Sequence, residues 1–241
     1  MKKLYVYSAA RMLGINNPVA CIINNVSVRP ESQELDQDVT LLMSALPARF
    51  EELQSTPEYQ GFSKLFADMG YHGQTPAGKR LIEGFIKNGF KRINNVVDAY
   101  NIVSARYGCG LGLHDADKVF SQCRHIDIFR ASGQDQIVPI FKDSPVLAKE
   151  GDLVYGSILN PRLLVAWLGK KDVDSDEYKV TSVTKSLLLV VTGNSQTSKE
   201  FNLGICGEVF ELLKKTCPEA DYSQLVQILQ CNEWGNDGKA D

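Results

Sequence analysis

The apolar positions along the chain follow two periodicities, and the runs rich in valine, isoleucine and leucine predict a β-sheet. Most of these runs are short and are bounded by glycine, proline or serine, as strands usually are. Leu163–Leu168 and Leu187–Val191 are apolar almost throughout, which is typical of central strands. The predicted strands are Lys3–Ser8, Pro18–Val28, Ile126–Ala131, Gln136–Phe141, Asp152–Ile158, Leu163–Leu168 and Leu187–Val191.

Apolar residues that recur every three or four positions predict helices on both sides of the strand-rich region. Pro47 is expected to end or kink the first of them, whereas Thr75 followed by Pro76 is a typical helix start with a hydroxyl cap. The predicted helices are Val39–Leu46, Phe62–Met69, a segment from Thr75 to Gly89, Val96–Tyr107, Gly204–Thr216 and a short final one at Tyr222–Leu229.

This order of elements predicts the α+β class, with a mixed β-sheet core and helices packed early and late in the chain. No internal repeat and no shift in composition marks a domain boundary. We therefore expect residues 1–231 to form a single domain and the polar residues 232–241 to form a tail.

Composition narrows the class of protein. The 241 residues are 44% hydrophobic with a formal charge of −3, so binding to nucleic acid would need a local basic surface. The six cysteines form no CxxC pair, which argues against a zinc site, and a chain this long with a full apolar core does not need a disulfide framework. No cofactor is expected. The N-terminal residues lack a signal-peptide pattern and no membrane span is visible, so we expect a cytoplasmic protein.

The helix that follows Thr75 has a basic outer face. Lysine and arginine outnumber glutamate five to one between Lys79 and Arg92. A solvated helix face is the favoured interpretation of these charges on residues alone, and an RNA-binding surface is the alternative. The basic positions are Lys79, Arg80, Lys87, Lys91 and Arg92.

The stretch Arg92–Val119 sets polar residues into an apolar helical pattern. Asn95 and Asp98 have the spacing of a capping box at a helix start, and Asn101 lies close to the buried stripe. An amide on the apolar side of a helix needs hydrogen-bond partners. On chemistry alone, the favoured interpretation is that these side chains attach the helix to neighbouring backbone.

Three further polar residues lie just beyond this helix, where a predicted strand meets a turn. Asp115 and Asp117 would share a face if the strand continued, which would suggest a metal site beside His114. Hard cations take more oxygen ligands than two carboxylates, and no second acidic cluster is present. A turn built on aspartate hydrogen bonds is therefore favoured, and no metal is predicted.

Known catalytic and nucleotide-binding motifs are missing from the sequence. It has no GxxxxGK[ST], no GxGxxG after a strand, no GxSxG and no HExxH. With only His72, His114 and His125 available, a nucleophile activated by histidine has few bases to draw on.

The central stretch nevertheless resembles a known family. NNVVDAYNIVSARYG followed by DADKV is similar to the editing module of the phenylalanyl-tRNA synthetase beta chain, the B-three/B-four (B3/4) domain, and most of all to its free-standing relatives. The resemblance extends from Tyr59 to Val191, through FSKLFADMGY upstream and GDLVYGSI, LLVAWLG and TKSLLLVV downstream. It implies the fold of that editing domain, without the catalytic core of a synthetase.

The resemblance also implies a pocket. The threonine–asparagine pair of the bacterial helix falls on Tyr100 and Asn101, and the pocket histidine falls on Gly112, two residues before His114. An alanine–glycine pair falls on Ala166 and Trp167. The glutamate that reads a tyrosine hydroxyl falls on Val190, so this resemblance does not support proofreading of tyrosine.

These residues lead to two main hypotheses. The first is a trans-acting deacylase that hydrolyses a mischarged aminoacyl-tRNA with an oriented water, so that its partners are tRNA and an amino acid. The second is a catalytically silent module that binds an amino acid or tRNA, and simple RNA binding through the basic face is a third reading. The assigned residues are Asn101, His114 and Asp115 for catalysis, Asn95, Tyr100, Gly112, Ala166, Trp167 and Val190 for the substrate, and the five basic positions for RNA.

Overall fold

Two β-sheets lie at the centre of the computed structural model, which describes residues 2–159, 163–169 and 172–231. The strands are β1 (Lys3–Tyr7), β2 (Val19–Asn24), β3 (Gly112–Asp115), β4 (His125–Arg130), β5 (Gln136–Ile137), β6 (Val146–Leu147), β7 (Leu153–Ser157), β8 (Leu163–Leu168), β9 (Val173–Asp174), β10 (Leu187–Val191), β11 (Asp221–Leu225) and β12 (Gln227–Cys231). The larger sheet is mixed and has the order β12-β1-β4-β7-β8-β9, and the four-stranded antiparallel sheet has the order β11-β2-β10-β3. A short pair, β5 and β6, stands apart.

Helices cover the outer face of the four-stranded sheet. The helices are α1 (Ser8–Met12), α2 (Asp36–Leu53), α3 (Pro57–Asp68), α4 (Ala77–Asn88), α5 (Asn95–Tyr107), α6 (Ala116–Gln122) and α7 (Lys199–Thr216). The longest are α2 and α7, and the central one is α5, which packs against α2, α4 and α7. No helix within the described residues is long and apolar enough to cross a membrane.

Strand β10 explains why the sequence is apolar at consecutive positions there. Leu187, Leu189 and Val191 pack into the core beneath the helices, whereas Leu188 and Val190 pack into a second core between the two sheets. Successive side chains of a strand point to opposite faces, so a strand that is buried on both faces needs apolar residues throughout. The predicted α+β class and the central position of this strand are confirmed.

Local polar contacts fix the start of α5. Asn94 is the N-cap residue and accepts hydrogen bonds from the backbone N–H groups of Val96 and Val97, whereas Asp98 accepts one from Ile93 N. The capping residue is therefore Asn94, one position before the expected Asn95. Gly108, at φ +63°, ends the helix in the left-handed conformation that glycine adopts without strain.

The predicted final helix Tyr222–Leu229 is wrong. The chain instead forms β11 and β12, which add to the open edges of the two sheets beside β2 and β1. Between them, Val226 N donates to Ala20 O. Pairing with a distant strand satisfies the backbone here, and tertiary pairing of this kind overrides local helical spacing.

Several predicted boundaries also change. The strand Gln136–Phe141 shortens to Gln136–Ile137, because Pro139 has no N–H for a ladder and Phe141 adopts φ +64°. Helix α2 continues through Pro47 to Leu53. The hydroxyl of Thr75 does not cap α4, and a carboxylate oxygen of Asp172 accepts from Ala77 N instead.

Candidate functional site

A partly enclosed cavity of about 180 Å³ lies between the two sheets, beneath the first turns of α4. A single water needs roughly 10–15 Å³ on this measure, so the space suits a small organic molecule. Its wall is mainly apolar, with a few polar groups on different elements. The lining residues are Phe62, Leu65 and Phe66 of α3, Pro76, Ala77 and Leu81 around α4, Tyr100, Asn101 and Ser104 of α5, Gly110–Gly112, Tyr155, Ala166–Leu168, Asp172–Asp174, Val190 and Thr192.

The α5 wall carries an unsatisfied amide. Asn101 is only 8% exposed, yet no hydrogen-bond partner for its side chain lies within the described residues. The hydroxyl of its neighbour Tyr100 is already hydrogen-bonded to the protein, because it donates to Leu111 O over 2.5 Å. A buried amide with no protein partner is costly unless a ligand or water satisfies it. Asn101 is thus free to bind a ligand inside the cavity.

A tyrosine of the cavity lining contacts a histidine that lies outside the lining. Tyr155 lies on β7, and its hydroxyl oxygen is 2.6 Å from His114 Nε2 on β3. Gly112 makes room for this pair, because a Cβ at that position would overlap the Tyr155 hydroxyl and lie 2.9 Å from His114 Nε2. Burial lowers the pKa of His114 to about 3, so its imidazole is neutral near pH 7.

The structure places three of the residues assigned to catalysis or substrate outside the cavity lining: His114, which lies behind Tyr155, and Asn95 and Asp115. Asn95 accepts from Arg29 N over 2.7 Å and donates to Ser27 O over 3.0 Å, so it anchors α5 to the segment after β2. Asp115 caps α6 through Lys118 N and accepts from the Thr184 hydroxyl over 2.6 Å. Both side chains hold the framework together and have no hydrogen-bonding capacity directed at the cavity.

The strand ends at Asp115, so Asp115 and Asp117 do not continue along one face of a strand. Asp117 is exposed in the first turn of α6, whereas the Asp115 side chain caps that helix. Within the part of the chain that the structure describes, no group of three or more His, Cys, Asp or Glu side chains could hold a metal ion.

Trp167 forms part of the cavity wall in a fixed orientation. Its indole N–H donates to Asp152 over 2.7 Å, and the same carboxylate oxygen accepts from the Tyr71 hydroxyl over 2.6 Å. Gly169 lies close beside this pair, where a Cβ would overlap Trp167 Nε1. The ring therefore limits the cavity on the side of β8, and Ala166 and Val190 complete an apolar surface there.

Two carboxylates lie at the β9 side of the cavity. Asp172 accepts from Ala77 N over 3.0 Å and from Arg80 Nη2 over 3.3 Å. Burial raises the pKa of Asp172 to about 7, and burial together with the charge of Asp172 raises the pKa of Asp174 to about 7. A cationic group of a ligand would favour the ionised form of this pair.

We expect Asp174→Asn to stabilise the protein at pH 8. The pKa of this carboxyl is higher in the folded chain than in the unfolded chain. The folded protein therefore loses stability as the carboxyl ionises, between about pH 4 and about pH 7. The variant removes this penalty and should gain on the order of 1–3 kcal/mol in unfolding free energy at pH 8, with little gain at pH 4. Urea unfolding between pH 4 and pH 8 measures the effect.

Asp176 provides the matched control, two residues along the chain. A hydrogen bond from Lys179 lowers the pKa of Asp176, so Asp176→Asn should lose stability at pH 8 and not at low pH. Equal pH profiles for wild type and Asp174→Asn would contradict a raised pKa at Asp174.

The basic positions after Thr75 divide into two groups. Arg80 contacts Asp172, and Arg92 is held by Asp36, Asp98 and the carbonyl of Ser32. Lys79 lies 3.8 Å from Glu83. Lys87 and Lys91 are exposed, and no ion pair involving them lies within the described residues. Only these two lysines form an uncommitted basic surface at the end of α4.

Sequence reasoning missed several polar groups of the cavity, namely Tyr155, Asp172, Asp174, Ser104 and Thr192. Tyr155 sits in an apolar strand where a buried aromatic residue is the ordinary interpretation. Asp172 precedes β9 and Asp174 ends it, and nothing in their local pattern indicates that α4 packs over them. Ser104 is already committed, since its hydroxyl donates to Cys109 O.

Comparison with known proteins supplies a family. A family model described as the B3/4 domain matches residues 68–216, more than half of the chain. The chain is 26% identical over 182 residues to the phenylalanine–tRNA ligase beta subunit of Staphylococcus saprophyticus subsp. saprophyticus, a match that covers 75% of this chain and 21% of that protein. These matches confirm the resemblance carried by the central stretch.

A solved structure has a similar fold. The crystal structure of an N-terminal fragment of the phenylalanyl-tRNA synthetase beta subunit from Pyrococcus horikoshii matches with a TM-score of 0.51 and 11% sequence identity. The match covers 95% of this chain and 53% of that one. The chain thus spans about a fifth of the curated relative and about half of the crystallised fragment.

Proposed function

The chain belongs to the B3/4 domain family, and from this premise we propose that it hydrolyses the ester of a mischarged aminoacyl-tRNA in trans. The aminoacyl group would occupy the cavity, and the tRNA would approach over the end of α4. The single observation that carries this proposal is the unsatisfied amide of Asn101, which faces a cavity large enough for an amino acid.

Hydrolysis needs little from the protein beyond orientation. An ester is already activated, so a positioned water and a donor to the carbonyl oxygen lower its barrier substantially. In the proposed step a water oxygen bonds to the carbonyl carbon and the bond to the tRNA hydroxyl oxygen breaks. The water supplies one proton to that leaving oxygen. Asn101 can bind the amino acid or the water with either end of its amide.

The described cavity lining favours water over a covalent nucleophile. The hydroxyl of Ser104 already donates to Cys109 O, and no histidine lies beside it. His114 is neutral and lies behind Tyr155, so the proposed mechanism does not use it as a protonated acid.

The direct test is a panel of mischarged tRNAs incubated with the full chain. The proposal is supported if the protein releases the amino acid faster than buffer alone does and the Asn101→Ala variant does not. A panel that shows no release above background contradicts the proposal.

A catalytically silent binding module is the second candidate. The same absence of a nucleophile–base pair among the described lining residues favours it, since the amide and the two β9 carboxylates alone would suffice to hold a free amino acid. Thermal stabilisation by amino acids without release from any mischarged tRNA would support this candidate over the hydrolase.

We expect Lys87→Glu combined with Lys91→Glu to weaken tRNA binding. Each phosphate contact that is lost should reduce the slope of log affinity against log salt by about 0.7–0.9. Filter binding at several salt concentrations measures both quantities. Lys142→Glu combined with Lys199→Glu changes the net charge equally at exposed lysines on other segments and serves as the control. Equal losses in both double variants would contradict an RNA surface at α4.

A further inference from the structure

The hydroxyl of Tyr155 occupies an unusual place for a buried tyrosine. The residue is only 2% exposed and its ring packs between the two sheets, yet it belongs to the cavity lining. Its oxygen fills the space that a side chain at position 112 would take. The glycine in β3 therefore allows a phenol from β7 to enter the cavity where β3 supplies no side chain.

The partner of this hydroxyl determines where its proton points. Tyr155 has a single hydroxyl hydrogen, and His114 Nε2 is 2.6 Å from its oxygen. The other ring nitrogen, His114 Nδ1, is buried with no hydrogen-bond partner. A buried N–H without an acceptor is rarer in proteins than a buried acceptor without a donor. The neutral imidazole is therefore assigned its hydrogen on Nε2, which donates to the Tyr155 oxygen.

With its oxygen accepting from His114, the phenol retains its own proton as a donor. No further hydrogen bond of this hydroxyl is formed within the described residues, and the cavity is the space beside it. A hydroxyl that accepts a hydrogen bond also becomes a stronger donor. The pair thus presents one directed donor to any ligand in the cavity that Asn101 also lines.

We propose that Tyr155 donates this proton in a hydrogen bond to the acyl carbonyl oxygen of the ligand, and that His114 is a positioning residue that orients the hydroxyl. The inference rests on the proposed function. When water adds to the carbonyl carbon, the carbonyl π electrons move to the oxygen, and the Tyr155 hydrogen bond stabilises the resulting oxyanion. The proton stays on Tyr155, and collapse of the oxyanion expels the tRNA hydroxyl oxygen.

Burial keeps the phenol in its protonated form. It raises the pKa of Tyr155 well above the ordinary value of 10, and the charges of Asp174 and Tyr100 add to this effect. Tyr155 is therefore a donor and not a proton acceptor across the physiological range. His114 is neutral over the same range. Hydrolysis that depends on this pair should show no step with a pKa near 6.5, the usual value of histidine.

Tyr155→Phe is the test, because it keeps the ring and removes only the hydroxyl. We expect kcat for a mischarged tRNA to fall about 10²–10³-fold, with KM changed by less than about threefold. His114→Leu should lower kcat because the hydroxyl is no longer oriented. His114→Gln should recover part of it, since the glutamine amide can donate near the position of Nε2. A merely structural role of His114 would give equal losses for both variants.

A binding measurement separates the donor assignment from the proposed function. Thermal shift with each amino acid and its methyl ester is run on wild type and Tyr155→Phe. If wild type hydrolyses the tRNA ester and Tyr155→Phe does so at the same rate, the donor role of Tyr155 is overturned and the hydrolase function stands. If methyl esters stabilise wild type but not Tyr155→Phe, and no tRNA ester is hydrolysed, the donor role of Tyr155 is supported and the hydrolase function is overturned. A wild type that neither binds nor hydrolyses any of these compounds overturns both.

Discussion

Asn101→Ala is expected to remove hydrolysis of mischarged tRNA without destabilising the unliganded protein. The amide makes no hydrogen bond to the described residues, so its removal leaves no protein group unpaired. The amide borders the cavity, where water can reach it in the unliganded protein, so the substitution removes few packing contacts. The unfolding free energy should stay within about 0.5 kcal/mol of wild type. The rate constant for release should fall at least about 100-fold.

Asn95→Ala is the matched control, because it removes the same side chain from the same helix. The Asn95 amide bonds Arg29 N, Ser27 O and the Thr216 hydroxyl. Its loss should lower the unfolding free energy by about 1–3 kcal/mol, since buried groups lose their partners. Residual hydrolysis per folded molecule should remain near wild type. If Asn101→Ala instead destabilised the fold as Asn95→Ala does, Asn101 would be a framework residue, and the argument for a ligand at that amide would fail.

These two asparagines also mark the limit of what local pattern can predict. Both lie on an apolar helix, and the sequence favoured a framework role for both on chemistry alone. The structure satisfies the Asn95 amide from two distant segments, residues 27–29 and 216–217, and leaves the Asn101 amide without a partner among the described residues. Whether a buried amide is satisfied depends on chain segments more than 60 residues away, and residue spacing holds no information about them.

Elements with a strong apolar signal were predicted closely. Strands Leu163–Leu168 and Leu187–Val191 match the predicted bounds, and the second of them is buried on both faces, which demands apolar residues throughout. The C-terminal strands were missed since their backbone pairs with β1 and β2, at the other end of the chain. Backbone pairing with these distant strands stabilises the segment, and the helical spacing in Tyr222–Leu229 gives no information about that pairing.

The candidate site was predicted in part, by resemblance more than by chemistry. The positions carried over to Tyr100, Asn101, Gly112, Ala166, Trp167 and Val190 all line one cavity. The resemblance placed a histidine at position 112, where this chain has glycine. The Tyr155 hydroxyl fills that space, and no local feature of the GDLVYGSI strand could have indicated it, because the glycine and the tyrosine are 43 residues apart in sequence.

Gly112→Ala is expected to lower both stability and hydrolysis, because the new methyl group would overlap the Tyr155 hydroxyl. Displacing a ring in a packed core costs about 1–3 kcal/mol, and moving the donor away from the carbonyl should lower kcat by at least about 100-fold. Chemical denaturation and release from mischarged tRNA measure the two effects. Gly84→Ala, in α4 where a Cβ meets nothing within 4 Å, should instead gain about 0.5–1 kcal/mol.

Combining Gly112→Ala with Tyr155→Phe separates the two causes. Phenylalanine lacks the oxygen that the methyl group overlaps, although the ring carbon Cζ, 3.0 Å from the Cβ position, leaves the site tight. The double variant should therefore recover part of the stability lost in Gly112→Ala, with a coupling of about 0.5–3 kcal/mol, because the two residues are in contact. It should recover none of the hydrolysis, since the donor is absent. Additive losses of stability would mean that the alanine is accommodated without moving Tyr155, and the glycine would then not be what admits the phenol to the cavity.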